Sequence, residues 1–283
     1  MNILIVGYAN QKCANVHNWN MSMIKYGYDR VVIGNGEKWQ GFMTKIRGYQ
    51  KHLMKVKDKY DYVVICDVFD IYACGPSKEL EKRFRSFDCD LLVGAEENLS
   101  GPYIPITEYW KHHTSKNNRI FVNSGFMMGS PHKLIEVCDF ILGTGLHDDQ
   151  VALAHYCNKY PAGVSLDQER KIVSNVLMST DVFEVIPQIV CPTWDHKNMG
   201  SLFVHTPGTV SDFGQRYLQF GKSILGEHFM LPNNDVNRSL LLKTLLGGYL
   251  LAAFILLIYF NVQLGIMFLV VAIIVMMYMF TNT

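Results

Sequence analysis

Two aspartates three residues apart, Asp67 and Asp70, follow the apolar run 62–66. That run predicts a buried strand, and in an open α/β sheet ligands bind at the carboxyl ends of the strands. Carboxylate oxygens are good ligands for Mg²⁺ and Mn²⁺. Because such a metal often joins a protein to the phosphates of a substrate, the pattern points to an enzyme that uses a nucleotide sugar. Taken alone, the same pattern also fits a helix cap or a turn.

A second pair of aspartates, Asp148 and Asp149, opens a helical pattern. Aspartate at a helix start is favoured by capping and by the helix dipole, but only one of the pair can cap. The other carboxylate is then free to act as a general base or to bind sugar hydroxyls. His205 ends the apolar strand 202–204, and a neutral imidazole there suits a third metal ligand beside two carboxylates.

Two glycine-containing segments have the chemistry of a sugar-nucleotide pocket. The loop 34–39 follows the second predicted strand, and its Trp39 offers a flat surface to a base or sugar. The alternative is that Trp39 is an ordinary aromatic residue of the hydrophobic core. Asn123 and Ser124 precede Gly125 in a predicted turn, where backbone and side chains can hydrogen-bond sugar hydroxyls. Read without context, that segment is an ordinary turn.

The composition of this 283-residue chain restricts the class of protein. Its net charge of +1 gives no basic face for nucleic acid. Seven scattered cysteines without a C-x-x-C pair argue against a zinc ribbon and indicate a reducing compartment. The segment 1–7 lacks a basic region and a long apolar run, so we expect a first strand rather than a signal peptide.

Apolar strand patterns alternate with amphipathic helix patterns over residues 1–232. This alternation predicts an α/β fold, a Rossmann-type mixed but mainly parallel sheet flanked by helices. The predicted strands are 2–8, 30–34, 61–66, 90–95, 120–123, 126–129, 182–186 and 201–205, and the predicted helices are 15–26, 42–58, 77–86, 131–142 and 148–158.

The C-terminal stretch is strongly apolar. We expect a linker at 233–239 and a membrane anchor at 240–281, read as a transmembrane hairpin of two helices at about 241–260 and 264–280. Basic residues flank the first of these helices, which predicts a catalytic domain on the cytosolic side. A buried soluble hairpin and a single long tilted span are the alternatives.

The order and spacing of several short motifs resemble one known family, the GT-A-type glycosyltransferase domain of the procollagen lysyl hydroxylases. The resemblance runs from the first strand to His205. The matching segments are 36–41 (GEKWQG), 48–51 (GYQK), 67–71 (DVFDI) with 75–76 (GP), 121–126 (FVNSGF), 148–150 (DDQ), 165–167 (SLD) and 204–205 (VH).

The resemblance implies a set of roles. Asp67, Asp70 and His205 would bind Mn²⁺, with Mg²⁺ as an alternative, and the UDP phosphates would complete the metal's shell. Asp148 and Asp149 would supply catalytic carboxylates in the donor-sugar and acceptor pocket. The expected contacts of the UDP-sugar are Gly7, Tyr8, Trp39, Lys51, Phe69, Asn123, Ser124 and Gly208.

The chain departs from the family at three places. The family's amide and downstream lysine after the histidine are replaced in 206–211 (TPGTVS), although Gly208 still allows backbone to approach a phosphate. No tryptophan follows Glu96 and Glu97 closely, so the acceptor side is expected to differ. The iron-dependent dioxygenase domain is missing from the sequence, and we therefore expect no hydroxylation.

These observations predict a membrane-anchored, metal-dependent glycosyltransferase that moves a hexose from UDP-glucose or UDP-galactose to a hydroxyl. The acceptor would be a glycan, a lipid-linked molecule or a protein, the lipid bilayer would be a partner, and nucleic acid would not. Two alternatives remain open: a catalytically degenerate membrane scaffold with this fold, and a metal-dependent phosphohydrolase. Whether the reaction inverts or retains the anomeric configuration is also open.

Overall fold

The computed structural model describes residues 2–96, 121–176, 200–207, 213–231 and 271. The chain divides into two compact units, Met1–Pro232 and Asn233–Thr283, and every element given below belongs to the first. The predicted strand at 182–186, like Gly208, lies outside the described residues.

A six-stranded sheet forms the centre of the first unit. Its strands are β1 (Ile3–Tyr8), β2 (Asp29–Ile33), β3 (Tyr62–Asp67), β5 (Leu91–Glu96), β6 (Phe121–Gly129) and β7 (Val164–Leu166). They lie in the order β2-β1-β3-β6-β5-β7. Strand β6 is antiparallel to both of its neighbours, and the other neighbouring pairs are parallel. The mixed, mainly parallel α/β sheet expected from the sequence is confirmed.

A second, smaller sheet was not expected in full. It consists of β4 (Ile71–Ala73), β8 (Val173–Asn175) and β9 (Phe203–His205), in the order β4-β9-β8. Only β9 falls in a predicted strand, since it overlaps the apolar run 202–204. The three residues of β4 and of β8 are too few to show an alternating pattern. The antiparallel pairing of β4 with β9 places Ile71 opposite His205.

Helices cover both faces of the central sheet. They are α1 (Ala14–Lys25), α2 (Met43–Val56), α3 (Leu80–Arg85), α4 (Pro131–Gly143), α5 (Asp149–Lys159) and α6 (Phe213–Leu225). Alternate strand residues point to opposite faces. Val63 and Ile65 of β3 therefore pack in the core with α2, α4 and α5, whereas Val64 and Cys66 pack in the core with α1 and α3.

The predicted turn at Asn123–Gly125 is corrected to a bulge within one strand. Val93 of β5 pairs with Met127 of β6, but the next residue, Gly94, pairs with Asn123. The residues between Asn123 and Met127 are therefore left out of the ladder with β5. A bulge of this kind re-aims side chains at the edge of a site.

The structure contradicts the prediction of a two-span membrane protein with a cytosolic catalytic domain. Crossing the ~30 Å hydrocarbon core takes about 20 apolar helical residues. Among the described residues, no helix is long and apolar enough to cross a membrane. The longest of them, α2, has 14 residues and carries lysines and an arginine. The predicted anchor at 240–281 lies, apart from Val271, outside the described residues.

Candidate active site

Three predicted metal ligands meet where the two sheets adjoin. Asp67 ends β3, Asp70 precedes β4, and His205 ends β9. One ligand atom from each lies within 4.8 Å of the others. The backbone amide of Thr206 donates to the carbonyl oxygen of Asp70 at 2.9 Å, which fixes the loop between β3 and β4 beside β9.

His205 is buried and oriented by a hydrogen bond. Its Nδ1 lies 2.7 Å from Oδ1 of Asn175, and its Nε2 lies 3.4 Å from Oδ1 of Asp70. Burial by itself lowers the pKa of His205, but Asp70 and Asp67 outweigh it and raise that pKa above the ordinary value. Neither Nε2 of His205 nor Oδ1 of Asp70 makes a hydrogen bond among the described residues. These two buried polar atoms, next to the carboxylate of Asp67, are suited to bind a divalent cation.

A buried lysine joins the metal-side carboxylates to the second aspartate pair. Lys45 Nζ lies 2.8 Å from Oδ1 of Asp67 and 3.0 Å from Oδ2 of Asp149. Burial alone lowers the pKa of Lys45, but the two carboxylates outweigh it and raise that pKa above its ordinary value. The ammonium group is therefore charged and neutralises part of the negative charge collected here.

The lysine expected at the phosphates, Lys51, is exposed on α2 and is not the one that reaches the carboxylates. Lys45 lies on the buried face of α2, one turn before Tyr49 and two turns before Leu53. That spacing of four residues marks one face of a helix. A lysine in register with the apolar stripe was the sequence signal that could have identified Lys45.

The structure separates the roles of the adjacent aspartates. Asp148 is exposed, and its Oδ1 accepts the backbone amides of Gln150 and Val151 at 2.9 Å each, so it caps α5. Asp149 is buried, with 3% of its surface exposed, and points to Lys45. Of the two predicted catalytic carboxylates, Asp149 is the one in the cluster.

The bulge in β6 places a polar group beside the metal-side residues. Asn123 Nδ2 donates to Oε1 of Glu96, a carboxylate with 1% exposure at the end of β5. Its Oδ1 accepts the amide of Gly125 at 2.9 Å, which shapes the bulge. The amide of Ser124 donates to Oε1 of Gln150 at 3.2 Å and ties the bulge to α5. Glu96 is a site residue to which the sequence had assigned no role.

Gly125 forms the floor of the cluster. A Cβ at this position would lie 2.4 Å from Cε1 of His205, 2.8 Å from Oδ1 of Asn123 and 2.9 Å from Oδ2 of Asp67. No side chain fits in that space without moving a ligand. The glycine in the predicted motif is therefore required by close packing.

Aromatic side chains lie beyond the ends of β1 and β2. The ring of Tyr8 packs 6.1 Å from that of Trp39, which stacks edge-on with Phe42 at 6.0 Å. Trp39 and Phe42 are 43% and 49% exposed. The Tyr8 hydroxyl donates to Oε2 of Glu37 at 3.0 Å, and this bond holds the loop that carries Trp39.

Two other predicted donor contacts have packing roles. A Cβ on Gly7 would lie 2.2 Å from Cγ2 of Val68, so Gly7 admits close packing inside β1 rather than forming a turn. Phe69 is half-buried against the core beside α1, and its carbonyl oxygen accepts Nδ2 of Asn15 at 2.6 Å.

Comparison with known families agrees with this arrangement. Residues 1–188 match the family described as the PLOD GT domain. The chain belongs to this family of glycosyltransferase domains. The resemblance inferred from the motifs is therefore confirmed, and the chain carries a glycosyltransferase domain of this family.

Curated relatives are similar over the same part of the chain. Mouse procollagen-lysine,2-oxoglutarate 5-dioxygenase 1 is 25% identical over 189 residues, which cover 62% of this chain and 25% of the relative. The human protein of that name is 25% identical over 186 residues, with 62% and 24% covered. The chain thus spans about a quarter of the length of these relatives.

Two solved structures are similar to the chain at low sequence identity. One is a glycosyltransferase involved in glycosylation of the major capsid of PBCV-1, with 13% identity, a TM-score of 0.49, and coverage of 77% of this chain and 98% of that one. The other is A197 from STIV, with 13% identity, a TM-score of 0.38, and coverage of 59% and 81%.

Proposed function

We propose that residues 1–232 form a metal-dependent hexosyltransferase that moves glucose or galactose from a UDP-sugar to a hydroxyl of a glycan or protein. The observation that carries this proposal is the cluster of Asp67, Asp70 and His205 within 4.8 Å, with Lys45 and Asp149 directly beside it. A phosphohydrolase would need the metal ligands, but it would leave the exposed Trp39 loop without a role.

The donor set fits Mn²⁺ and also admits Mg²⁺. Two carboxylates are hard ligands, and one imidazole favours Mn²⁺ over Mg²⁺. Asp67, Asp70 and His205 would hold the ion, and the unbonded Oδ1 of Asp70 and Nε2 of His205 support that role. When bound, the cation would offset the negative charge that develops on the departing UDP.

Asp149 and Lys45 are the groups proposed to act on the sugar and the acceptor. Asp149 would take the proton of the acceptor hydroxyl in an inverting reaction. In a retaining reaction the departing phosphate would take that proton, and Asp149 would instead hold sugar hydroxyls. Lys45 places a fixed positive charge between these groups and Asp67. The anomeric configuration of the product, read by NMR, distinguishes the two routes.

Trp39 and Tyr8 are proposed to bind the uridine end of the donor. An exposed indole offers the flat apolar surface that a base stacks on, and the ring of the buried Tyr8 packs beside it at an angle of 47°. Asn123 and Ser124, held by the bulge of β6, would face the donor sugar.

The test is release of UDP from a panel of UDP-sugars by the purified full-length chain, with Mn²⁺ or with EDTA. Mn²⁺-dependent binding of UDP is measured in parallel by calorimetry, because acceptor-free turnover can be slow. We expect UDP-glucose or UDP-galactose to be hydrolysed slowly with Mn²⁺ only. The Asp67→Ala/Asp70→Ala variant should lose both turnover and Mn²⁺-dependent UDP binding, while Asp58→Ala, which removes an exposed carboxylate on the same chain, should keep both.

Phosphate release from simple phosphoesters would instead support the phosphohydrolase. Absence of both turnover and Mn²⁺-dependent UDP binding in the unmodified chain would overturn the proposal in favour of a scaffold with this fold.

A further inference from the structure

Asn175, at the end of β8, makes two side-chain hydrogen bonds inside the protein. Its Nδ2 donates to the carbonyl oxygen of Ala95 at 2.9 Å, and its Oδ1 lies 2.7 Å from Nδ1 of His205. The residue is 3% exposed. Neither the sequence motifs nor the proposed transfer reaction assigns it a role.

The chemistry of these partners leaves one arrangement of protons. A backbone carbonyl can only accept, so the amide nitrogen of Asn175 must face Ala95. The amide oxygen then faces His205 and can only accept, so Nδ1 of His205 must carry the hydrogen. The other ring nitrogen, Nε2, is left to point at Asp70, 3.4 Å away.

Two local features hold Asn175 in this position. Gly94 lies next to it, and a Cβ on Gly94 would come within 3.0 Å of Nδ2 of Asn175. The ladder of β5 shifts register at this glycine. The pairing of β8 with β9 places Asn175 opposite His205, and the amide of Val176 donates to the carbonyl of His205 at 2.8 Å.

The start of β8 is fixed by a buried carboxylate. Asp167 is fully buried, and its oxygens accept the backbone amides of Lys171, Ile172 and Val173 at 2.8, 2.7 and 2.6 Å. Three amides on one carboxylate determine where the strand begins. The position of Asn175, two residues beyond Val173, follows from this anchor.

We propose that Asn175 is a positioning residue that relays the orientation of the Ala95 carbonyl to His205 and so presents Nε2 of His205 to the metal. A metal-bound histidine commonly donates its other ring N–H to a carbonyl or carboxylate, which fixes the ring and strengthens the ligand. Here a side-chain amide performs that function, and its own orientation is set by the backbone. The inference rests on the metal site proposed above.

The test is the affinity of the metal for the full-length chain, read from the EPR signal of free Mn²⁺ without any substrate. Asn175→Leu keeps a similar volume but removes the acceptor, and we expect it to bind Mn²⁺ about 10- to 100-fold more weakly. Asn175→Asp keeps an acceptor for Nδ1–H while it places a carboxylate against the Ala95 carbonyl. It should retain affinity within about threefold of the unmodified chain but unfold at a lower temperature.

The matched control is Ser174→Ala, which removes a fully buried hydroxyl one residue away on the other face of β8. That hydroxyl has no hydrogen-bond partner among the described residues, so its loss should leave Mn²⁺ affinity unchanged. A merely structural role for Asn175 would rank the Leu and Asp variants alike in thermal stability and in metal affinity. The relay predicts opposite orders for the two properties: Asn175→Asp should bind Mn²⁺ more tightly than Asn175→Leu but should unfold at a lower temperature.

Two outcomes count against the proposal and are distinguishable. If the unmodified chain binds Mn²⁺ and Asn175→Leu binds it equally well, the relay is wrong and the metal site stands. If the unmodified chain binds no Mn²⁺ at all, the proposed metal site fails, and the relay fails with it.

Discussion

The two sheets supply halves of the candidate site that are held together by different forces. The half from the six-stranded sheet and its helices α2 and α5 is charged, and in it Lys45 lies within 3.0 Å of carboxylate oxygens from Asp67 and Asp149. The half from the three-stranded sheet is held by hydrogen bonds, from Asn175 to His205 and from Thr206 to Asp70.

This difference indicates that Lys45 and Asn175 contribute in different ways to folding and to metal binding. A buried ion pair that loses one partner leaves an uncompensated charge, which destabilises the fold. A buried histidine that loses its hydrogen-bond partner loses its orientation, which weakens ligation more than folding. Removal of the Lys45 ammonium group should therefore lower the free energy of unfolding, and removal of the hydrogen-bond acceptor of His205 should lower metal affinity.

The largest expected effect is that of Lys45→Met. Without the ammonium group, Asp149 and Asp67 face each other with no cation, and we expect a loss of about 3–5 kcal/mol in the free energy of unfolding. Urea denaturation followed by circular dichroism measures it. The control is Lys51→Met on the same helix, which is exposed and should change stability by less than about 0.5 kcal/mol. Equal stability of the two variants would show that the charged half does not hold the fold.

How much of the two halves could be predicted from the sequence depends on the length of the strands and helices that carry them. Strands β1, β3 and β5 and helices α1, α2, α4 and α5 were predicted within about two residues, because six or more residues show a period of 2 or 3.6 clearly, whereas α6 was not predicted. In contrast β4 and β8 have three residues each and were missed. The hydrogen-bonded half lies on these short strands, so Asn175 carried no local signal.

The charged half was predictable in principle. Asp67 has the same parity as Val63 and Ile65 along β3 and therefore points to the face covered by α2. Lys45 lies on the buried stripe of that helix. Combining the two periodicities would have selected Lys45 instead of Lys51. No such rule gives Asp70 its place beside His205, because that contact depends on pairing between segments more than 130 residues apart.

The next largest effect is expected at the base of the hydrogen-bonded half. Asp167→Ala removes the acceptor of three backbone amides, two of them in buried hydrogen bonds. Each buried amide costs about 1–3 kcal/mol when left unpaired. Because burial raises the pKa of Asp167 and thus already disfavours its charged form, part of that loss is offset, and we expect a net destabilisation on the order of 3 kcal/mol. Denaturation by urea measures it. Glu169→Ala in the same loop removes an exposed carboxylate and is the control; an equally mild effect of both changes would show that the anchor is dispensable.

Gly125→Ala tests the contact between the two halves. The added methyl group would lie 2.4 Å from His205 and 2.9 Å from Asp67, so a ligand on each sheet must move. We expect a destabilisation of about 1–3 kcal/mol from overpacking and a larger relative loss of Mn²⁺ binding by EPR. Gly143→Ala, where a Cβ meets no atom within 4 Å, should change neither property. Full Mn²⁺ affinity in Gly125→Ala would mean that the ligands are not positioned by this floor.

The smallest effect is expected away from both halves, at the aromatic loop. Tyr8→Phe keeps the ring that packs beside Trp39 but removes the hydroxyl that donates to Glu37 at 3.0 Å. We expect a loss of about 0.5–1.5 kcal/mol in stability and a several-fold weaker binding of UDP by calorimetry, with Mn²⁺ affinity unchanged. Burial and Glu37 raise the pKa of Tyr8 to about 12, so the phenol stays protonated and the ratio of UDP affinities between the two proteins should be constant from about pH 6 to pH 9. A ratio that changes in this range would place a different titrating group at the loop, and a loss of Mn²⁺ affinity would show that the loop and the metal ligands are coupled rather than independent.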